Sequence, residues 1–138
     1  MSRTKPGTSS SPRTTRDERG STTIELVILL PALFAVLFLG MQAALFYHAR
    51  TVAIAAAQEG ARAAGGENGR ESDGARAANA FIADAGGDDA LSNATVKVTR
   101  TETSATVMVV GHSLSVIPGW SPVVRQVASA PVERLTEP

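Results

Sequence analysis

The chain has 138 residues, room for one small domain, and its 13 basic and 13 acidic side chains give a formal net charge of zero. A zero net charge gives no global indication of nucleic-acid binding, and the lack of cysteine excludes a disulfide framework, thiol catalysis and cysteine-ligated metal. The charges are unevenly spread: residues 1–20 carry five basic and two acidic side chains, a local charge of +3, whereas residues 48–138 carry eight basic and ten acidic ones, a local charge of −2.

A long apolar run follows a polar amino-terminal leader. Residues 1–18 are rich in Ser, Thr, Pro and Arg and have no apolar side chain after Met1, a composition typical of disorder. Residues 26–46 then contain no charge, and only Gln42 among them is strongly polar. A helix of that length crosses roughly 30 Å of hydrocarbon. A short chain has too little other apolar material to surround such a helix, so we predict a transmembrane helix over residues 21–47.

The flanking charges predict the orientation of this span. The basic cluster within residues 1–20 precedes it, and Arg50 is a single basic residue just after it. Basic residues remain on the cytoplasmic side of a membrane. We therefore expect a single-pass protein of the cell membrane, with a cytoplasmic leader over residues 1–20 and with residues 48–138 outside the cytoplasm.

Helical composition continues beyond the span. Residues 48–66 are rich in alanine, contain no proline and are expected to extend the helix outside the membrane until Gly65-Gly66 ends it. Residues 67–74 have the composition of a loop. A shorter amphipathic helix is predicted over about 73–85, where four apolar residues fall at helical spacing. These residues are Ala78, Phe81, Ile82 and Ala85.

The carboxyl-terminal part has the pattern of β-strands. Residues 94–100 alternate apolar and polar side chains, as a half-buried strand does. Residues 101–104 form a predicted turn, and residues 105–117 a second strand. The apolar positions in this second strand change from odd to even numbers, which predicts a β-bulge at Gly111 that resets the register.

A third strand completes a small head. Pro118-Gly119 indicates a turn, and residues 122–132 are then predicted to form an edge strand, because Pro131 cannot donate a hydrogen bond to a neighbour. The predicted fold class is therefore α+β. A long transmembrane helix, extended outside the membrane, precedes a head over residues 67–138 with one short helix and about three antiparallel strands.

The junction GSTTIEL is the most specific motif in the sequence. The basic leader ends at Gly20, and Glu25 follows at the mouth of the apolar run. An acidic side chain beside a membrane segment is costly and usually functional. A structural alternative exists, because Thr22 and Glu25 have the spacing of a capping box, which would satisfy donors at a helix start without any processing.

This junction is similar to the processing site of type IV pilins. The resemblance implies that a prepilin peptidase cuts between Gly20 and Ser21, so that Glu25 becomes the fifth residue of the mature chain. It also implies that Glu25 pairs with the new amino terminus of a neighbouring subunit. Such a pair would reduce the cost of placing either charge in a poor dielectric.

A wider resemblance extends from residue 19 to residue 64, which look like the amino-terminal region of the TadE-like family. The shared features are Arg19-Gly20, Glu25, Pro31, Phe46-Tyr47 and the motif Glu59-Gly60-Ala61-Arg62. The resemblance implies a membrane-anchored pseudopilin or minor pilin-like subunit that supports assembly of tight-adherence pili. The implied partners are the lipid bilayer, the prepilin peptidase, other pilin or pseudopilin subunits and the pilus assembly machinery, with no nucleic acid.

The Glu59-to-Arg62 motif has two interpretations. Glu59 and Arg62 are three residues apart on a helix, where a weak ion pair on a solvated face is ordinary. Alternatively, Gly60, Ala61 and the surrounding alanines form a contact surface that lets another helix approach closely. We favour the contact, because an alanine-rich face has little core to serve in such a chain, and we assign Glu59, Gly60, Ala61 and Arg62 with Glu25 to assembly and helix pairing.

The sequence contains no recognisable catalytic constellation and implies no cofactor. His48 and His112 lack the spacing of a metal pair, and the acidic residues Asp84, Asp88 and Asp89 do not match a calcium-binding loop. An enzyme is therefore not expected. Two alternatives to the assembly subunit remain open: an uncleaved signal-anchored surface protein with a small binding head, and a secreted protein cut near residues 53–57. The length of the apolar run argues against the second.

Overall fold

The structure is a computed structural model that describes residues 1–9 and 17–135. Its helices are α1 (Asp17–Gly65), α2 (Glu71–Asp84) and a one-turn 3₁₀ helix (Gly87–Asp89). Its strands are β1 (Ser92–Arg100), β2 (Ser104–His112) and β3 (Val123–Pro131). This order confirms the predicted α+β class, with a long apolar helix, one further short helix and three antiparallel strands.

Two compact units, Met1–Val36 and Leu37–Pro138, make up the chain. In the first, residues 1–9 are exposed and form neither helix nor strand, in agreement with a polar leader. Part of the leader that we predicted to be disordered, residues 10–16, lies outside the described residues. Helix α1 begins at Asp17, so the last residues of the predicted leader are helical.

Helix α1 carries the predicted membrane segment. It continues through Pro31 and ends at Gly65, as the Gly65-Gly66 pair predicts. Among the described residues, one helical stretch, Gly20–Gly65, is long and apolar enough to cross a membrane, and no part of its most apolar window is buried. The sequence prediction of a candidate span is therefore confirmed.

The second unit contains a three-stranded antiparallel sheet in the order β1-β2-β3. Strand β2 is central, and its side chains alternate between buried and half-buried along its whole length. Strand β3 lies at an edge of the sheet and ends at Pro131, which confirms the predicted edge strand. Proline is tolerated there because its missing N–H faces no ladder partner.

A register shift occurs opposite Gly111, as predicted, but the extra residue belongs to β1 and not to the strand that carries Gly111. Gly111 pairs with Val124 in an unbroken register, and β2 ends one residue later at His112. The register shift lies in β1 between Ser92 and Thr95, where Asn93 has a positive φ of 50°. Glycine at 111 makes room for a side chain: a Cβ there would lie 2.6 Å from Cγ of Leu91.

Helix α2 starts at Glu71, earlier than the predicted start near residue 73. The carboxylate of Asp73 explains the earlier start, since its Oδ2 accepts a hydrogen bond of 2.9 Å from the backbone N–H of Arg70. This bond satisfies a donor that the first turn of a helix otherwise leaves unpaired. The predicted loop therefore shortens to the residues between Gly65 and Glu71.

The alanine-rich part of α1 forms one wall of the hydrophobic core. The buried alanines of α1 are Ala49, Ala53, Ala56, Ala57, Ala61 and Ala64. All of them except Ala64 belong to one core cluster with Leu91, Val107, Val109 and Val124 from the sheet side. Our reason for expecting an external contact, that this face has little core to serve, is therefore wrong: small side chains let the helix lie close to the sheet and to α2.

Candidate functional site

The predicted processing site lies within the first turns of α1. Gly20 is the fourth residue of the helix, and Gly20, Ser21 and Glu25 are all exposed. The predicted capping box is wrong for the uncut chain, because Thr22 lies five residues after the helix start and an N-cap residue has non-helical backbone angles. Glu25 is therefore not explained by capping of α1.

The surroundings of Gly20 are open. Apart from the adjacent turns of α1 itself, a Cβ added there would meet no described atom within 4 Å. Its φ is not in the left-handed region, so the fold itself does not require glycine at this position. If glycine is needed at residue 20, the reason must be binding of this site by another molecule.

The apolar segment that follows Gly20 is not covered by any other described part of the chain. Every residue from Gly20 to Met41 is exposed, including large side chains that water-soluble proteins bury. The large apolar side chains concerned are Ile24, Leu26, Val27, Ile28, Leu29, Leu30, Leu33, Phe34, Val36, Leu37, Phe38, Leu39 and Met41. A patch of this size on a protein indicates a surface that contacts lipid or another apolar partner.

Gln42 marks the point where α1 first becomes buried. Only 4% of Gln42 is exposed, and its amide makes three hydrogen bonds to the segment between β2 and β3. Its Nε2 donates to the carbonyl of Leu114 at 3.3 Å, and its Oε1 accepts from Oγ of Ser115 at 2.9 Å and from N–H of Val116 at 3.0 Å. Sequence reasoning missed this role, although a single glutamine in a charge-free run was the available signal.

The Glu59-to-Arg62 motif divides into two faces. Glu59 and Arg62 are exposed and form an ion pair of 3.0 Å, the ordinary arrangement at this spacing. Gly60 and Ala61 are buried on the other face. A Cβ at Gly60 would lie 2.8 Å from the carbonyl oxygen of Gly74, so the helix that approaches at this glycine is α2 of the same chain.

The remaining side chains that could bind a metal do not lie together in the described part of the chain. Within residues 1–9 and 17–135, no group of three or more His, Asp or Glu side chains could hold a metal ion. His48 is exposed on α1, and His112 ends β2 with its Nδ1 buried and unpaired. These side chains provide no arrangement of nucleophile, base and orienting group.

One comparison with known proteins gives a match. The model of the family described as TadE-like protein matches residues 20–62, which run from the predicted processing glycine to the end of the Glu59-to-Arg62 motif. Neither a curated protein nor a solved structure matches the chain. This family is associated with tight-adherence pilus systems and is generally structural. The resemblance predicted from the sequence is thus confirmed over residues 20–62, a segment that is similar to the TadE-like family.

Proposed function

We propose that the protein is a membrane-anchored pseudopilin, or a minor pilin-like subunit, that supports assembly of tight-adherence, type IV-like pili and has no catalytic role. The observation that carries this proposal is the order of features in the TadE-like segment. An open glycine at residue 20 and an exposed acid at residue 25 directly precede a helical surface that is apolar on every side. A surface of this kind suits lateral packing of helices within a bilayer.

The proposed topology is a single pass with the amino terminus in the cytoplasm. The support is the charge of +3 on residues 1–20 against −2 on residues 48–138. Basic residues are retained on the cytoplasmic side. The leader would then face a prepilin peptidase that acts at the cytoplasmic surface, and the sheet would lie outside.

The proposed processing step is cleavage between Gly20 and Ser21. This peptide bond lies close to the start of α1 at Asp17. Helix ends open with little free energy, so a peptidase could extend this turn without disturbing the sheet. The mature chain would then begin with the amine of Ser21, and an amine from a neighbouring subunit would be the proposed partner of Glu25.

Photo-crosslinking in cells tests the proposal. A photo-reactive side chain would replace Leu33, which is exposed on α1, and in a matched variant it would replace Asn79, which is exposed on α2. We expect the Leu33 probe to form adducts with pilin or pseudopilin subunits, and we expect deletion of the gene to abolish pili. The Asn79 probe controls for encounters at the surface of the head.

Two results would contradict the assembly role. Unchanged piliation after deletion of the gene, together with lipid as the sole adduct of the Leu33 probe, would favour an uncleaved signal-anchored protein with a small binding head. Amino-terminal sequencing of the membrane-extracted protein separates the two possibilities further. Ser21 as the first residue supports the pseudopilin, whereas an intact leader in cells that contain the peptidase supports the anchored surface protein.

A further inference from the structure

The segment between β2 and β3, residues 113–122, has its polar and apolar side chains reversed relative to a loop in water. Its apolar side chains point outward: Leu114 is 37% exposed, Ile117 40% and Trp120 51%. Its serines at the start point inward, since Ser113 is 1% exposed and Ser115 bonds to Gln42. No charged residue occurs between residues 113 and 124. Water-exposed loops are ordinarily polar, so this 113–122 loop suits an apolar medium.

Four of the eight backbone N–H groups of the 113–122 loop form hydrogen bonds within the chain. The N–H of Ser113 donates to Pro122, that of Val116 to Gln42, that of Ile117 to Oγ of Ser115, and that of Trp120 to the carbonyl of Ile117. Pro118 and Pro122 have no N–H to satisfy. Hydrogen bonds within the protein make irregular backbone tolerable near lipid, because water is not available there as a hydrogen-bond partner.

The loop is fixed beside the exposed end of the apolar segment, residues 37–41 of α1. Its three hydrogen bonds to Gln42 hold it one residue away from Met41, where the fully exposed apolar segment ends. Trp120 and Leu39 line the same apolar cleft, with a volume of about 390 Å³. The exposed apolar surface of the loop is therefore continuous with the exposed apolar surface of α1 within the Leu37–Pro138 unit.

We propose that the 113–122 loop is a second membrane contact, in which Leu114, Ile117 and Trp120 enter the interfacial region of the bilayer leaflet on the sheet's side of the span. The occupant of this surface is phospholipid. An indole ring suits this depth, because its apolar body and its polar N–H favour the boundary between headgroups and acyl chains. The inference rests on the membrane anchoring that forms part of the proposed function.

This contact gives Gln42 a function. The glutamine lies inside the apolar run and would be costly in lipid without partners. The loop supplies those partners, and in return Gln42 places the loop at a fixed height on α1. A helix and a loop that contact the same leaflet define the tilt of the sheet relative to the membrane, which a single helix does not.

Trp120 is the only tryptophan in the chain, so its fluorescence reports on this loop alone. The full-length protein would be reconstituted at a low protein-to-lipid ratio into phosphatidylcholine vesicles whose acyl chains carry bromine either near the carbonyl end or near the methyl end. We expect strong quenching of Trp120 by bromine near the carbonyl end, weaker quenching by bromine near the methyl end, and little quenching by aqueous acrylamide.

Two variants provide a matched comparison. Ile117→Asp places a charge in the loop, and Val127→Asp places the same charge on β3, where Val127 is equally an exposed apolar side chain. We expect Ile117→Asp to lose most of the quenching by brominated lipid and to gain quenching by acrylamide, and Val127→Asp to behave as the parent. Retained circular dichroism in both variants shows that the change is local.

The contradicting outcomes are distinct. Free access of acrylamide to Trp120 with no effect of brominated lipid would place the loop in water and overturn the proposal. Protection from acrylamide without quenching by lipid, increasing with protein concentration, would mean that another copy of the chain covers the loop, and this too would overturn it. Release of the protein from vesicles at alkaline pH would instead refute the membrane anchor on which the proposed function depends.

Discussion

Gly20 and Gly60 belong to the same helix but have opposite surroundings. Gly20 is exposed, with no described atom beyond the adjacent turns of α1 within 4 Å of an added Cβ, whereas an added Cβ at Gly60 would lie 2.8 Å from backbone of α2. A side chain at residue 60 therefore costs packing energy within the chain. At residue 20 an added side chain costs no packing energy. An effect of substitution at this position would therefore reflect recognition by another molecule.

Substitution of Gly20 distinguishes an effect on packing within the chain from an effect on recognition by the peptidase. We expect Gly20→Val to block cleavage while leaving membrane insertion and the sheet unchanged, because valine fills space only in the peptidase site. Gly40→Val is the matched control, since Gly40 also lies in α1 with no described atom beyond the adjacent turns of the helix within 4 Å of an added Cβ. Amino-terminal sequencing and the mobility of the protein on gels measure cleavage. Efficient cutting of the valine variant would contradict a processing role for Gly20.

Glu25 is an exposed acid at the start of the apolar segment, and capping of α1 does not explain it. We expect Glu25→Gln to retain cleavage at Gly20 and normal membrane levels, because neither the glycine nor the span changes. Its association with pilus subunits should fall sharply. Glutamine leaves the neighbouring amine without an ionic partner, and breaking such a pair costs about 3–5 kcal/mol where it is buried.

Crosslinking from the Leu33 probe measures this association in the membrane. Glu59→Gln is the control, because Glu59 is also exposed on α1 and forms a surface ion pair of small energy with Arg62. Normal crosslinking and normal piliation with glutamine at residue 25 would refute the pairing role of Glu25.

At the scale of elements, α1 presents two different surfaces along its length. From Gly20 to Met41 it is exposed on all sides, and from Gln42 onward one face is buried by the sheet and α2. The change coincides with a change in composition from leucine and phenylalanine to alanine. Large side chains suit contact with lipid, whereas small ones allow close approach of backbone to backbone.

The crossing of α1 and α2 is closely packed. A Cβ at Gly74 would lie 2.8 Å both from Cβ of Ala64 and from the carbonyl oxygen of Gly60. We expect Gly74→Val to reduce the free energy of unfolding by roughly 1–3 kcal/mol, the usual cost of overpacking a core. Ala80→Val, at an exposed position of the same helix, controls for the weaker helix propensity of valine.

Amide hydrogen exchange in α2 and β2 of the detergent-solubilised full chain measures this stability. Exchange should accelerate in Gly74→Val and remain close to that of the parent in Ala80→Val. Equal protection in the two variants would mean that α2 moves away from α1 without cost, and that the crossing does not depend on glycine.

At the scale of the whole molecule, the uneven distribution of charge along the chain predicts its orientation in the membrane. The leader carries +3, Glu25 carries −1 and the part after the span −2, which sum to zero. We expect a reporter fused after Pro138 to be active only if it is a reporter that works outside the cytoplasm. Exchanging the five leader basic residues for acidic ones should weaken or invert this orientation.

The control for this experiment reverses one charge, Arg50→Glu, just beyond the span, and it should leave the orientation unchanged. Activity of a cytoplasmic reporter at the carboxyl terminus of the parent protein would contradict the proposed topology. It would also exclude a cytoplasmic peptidase for the leader, since leader and sheet would have changed sides.

The sequence by itself determined the features that depend on neighbouring residues. Twenty-one uncharged residues predict a helix long enough for a membrane, the Gly65-Gly66 pair predicts its end, and alternation at residues 94–100 predicts a strand. The helix over residues 20–62 and its resemblance to the TadE-like family could also be predicted, because the motifs that identify them lie at short, fixed spacings. Periodicity and local composition are sufficient for such assignments.

Only the tertiary structure decided what each surface contacts. Hydrogen bonds between Gln42 and the 113–122 loop join residues more than seventy positions apart, and no local pattern encodes them. The same holds for Gly111, which makes room for Leu91, whereas the extra residue of the register shift belongs to β1. The alanines of α1 look alike in sequence whether they face a neighbour, water or a sheet. Their burial depends on where the folded strands lie, which is a property of long-range packing.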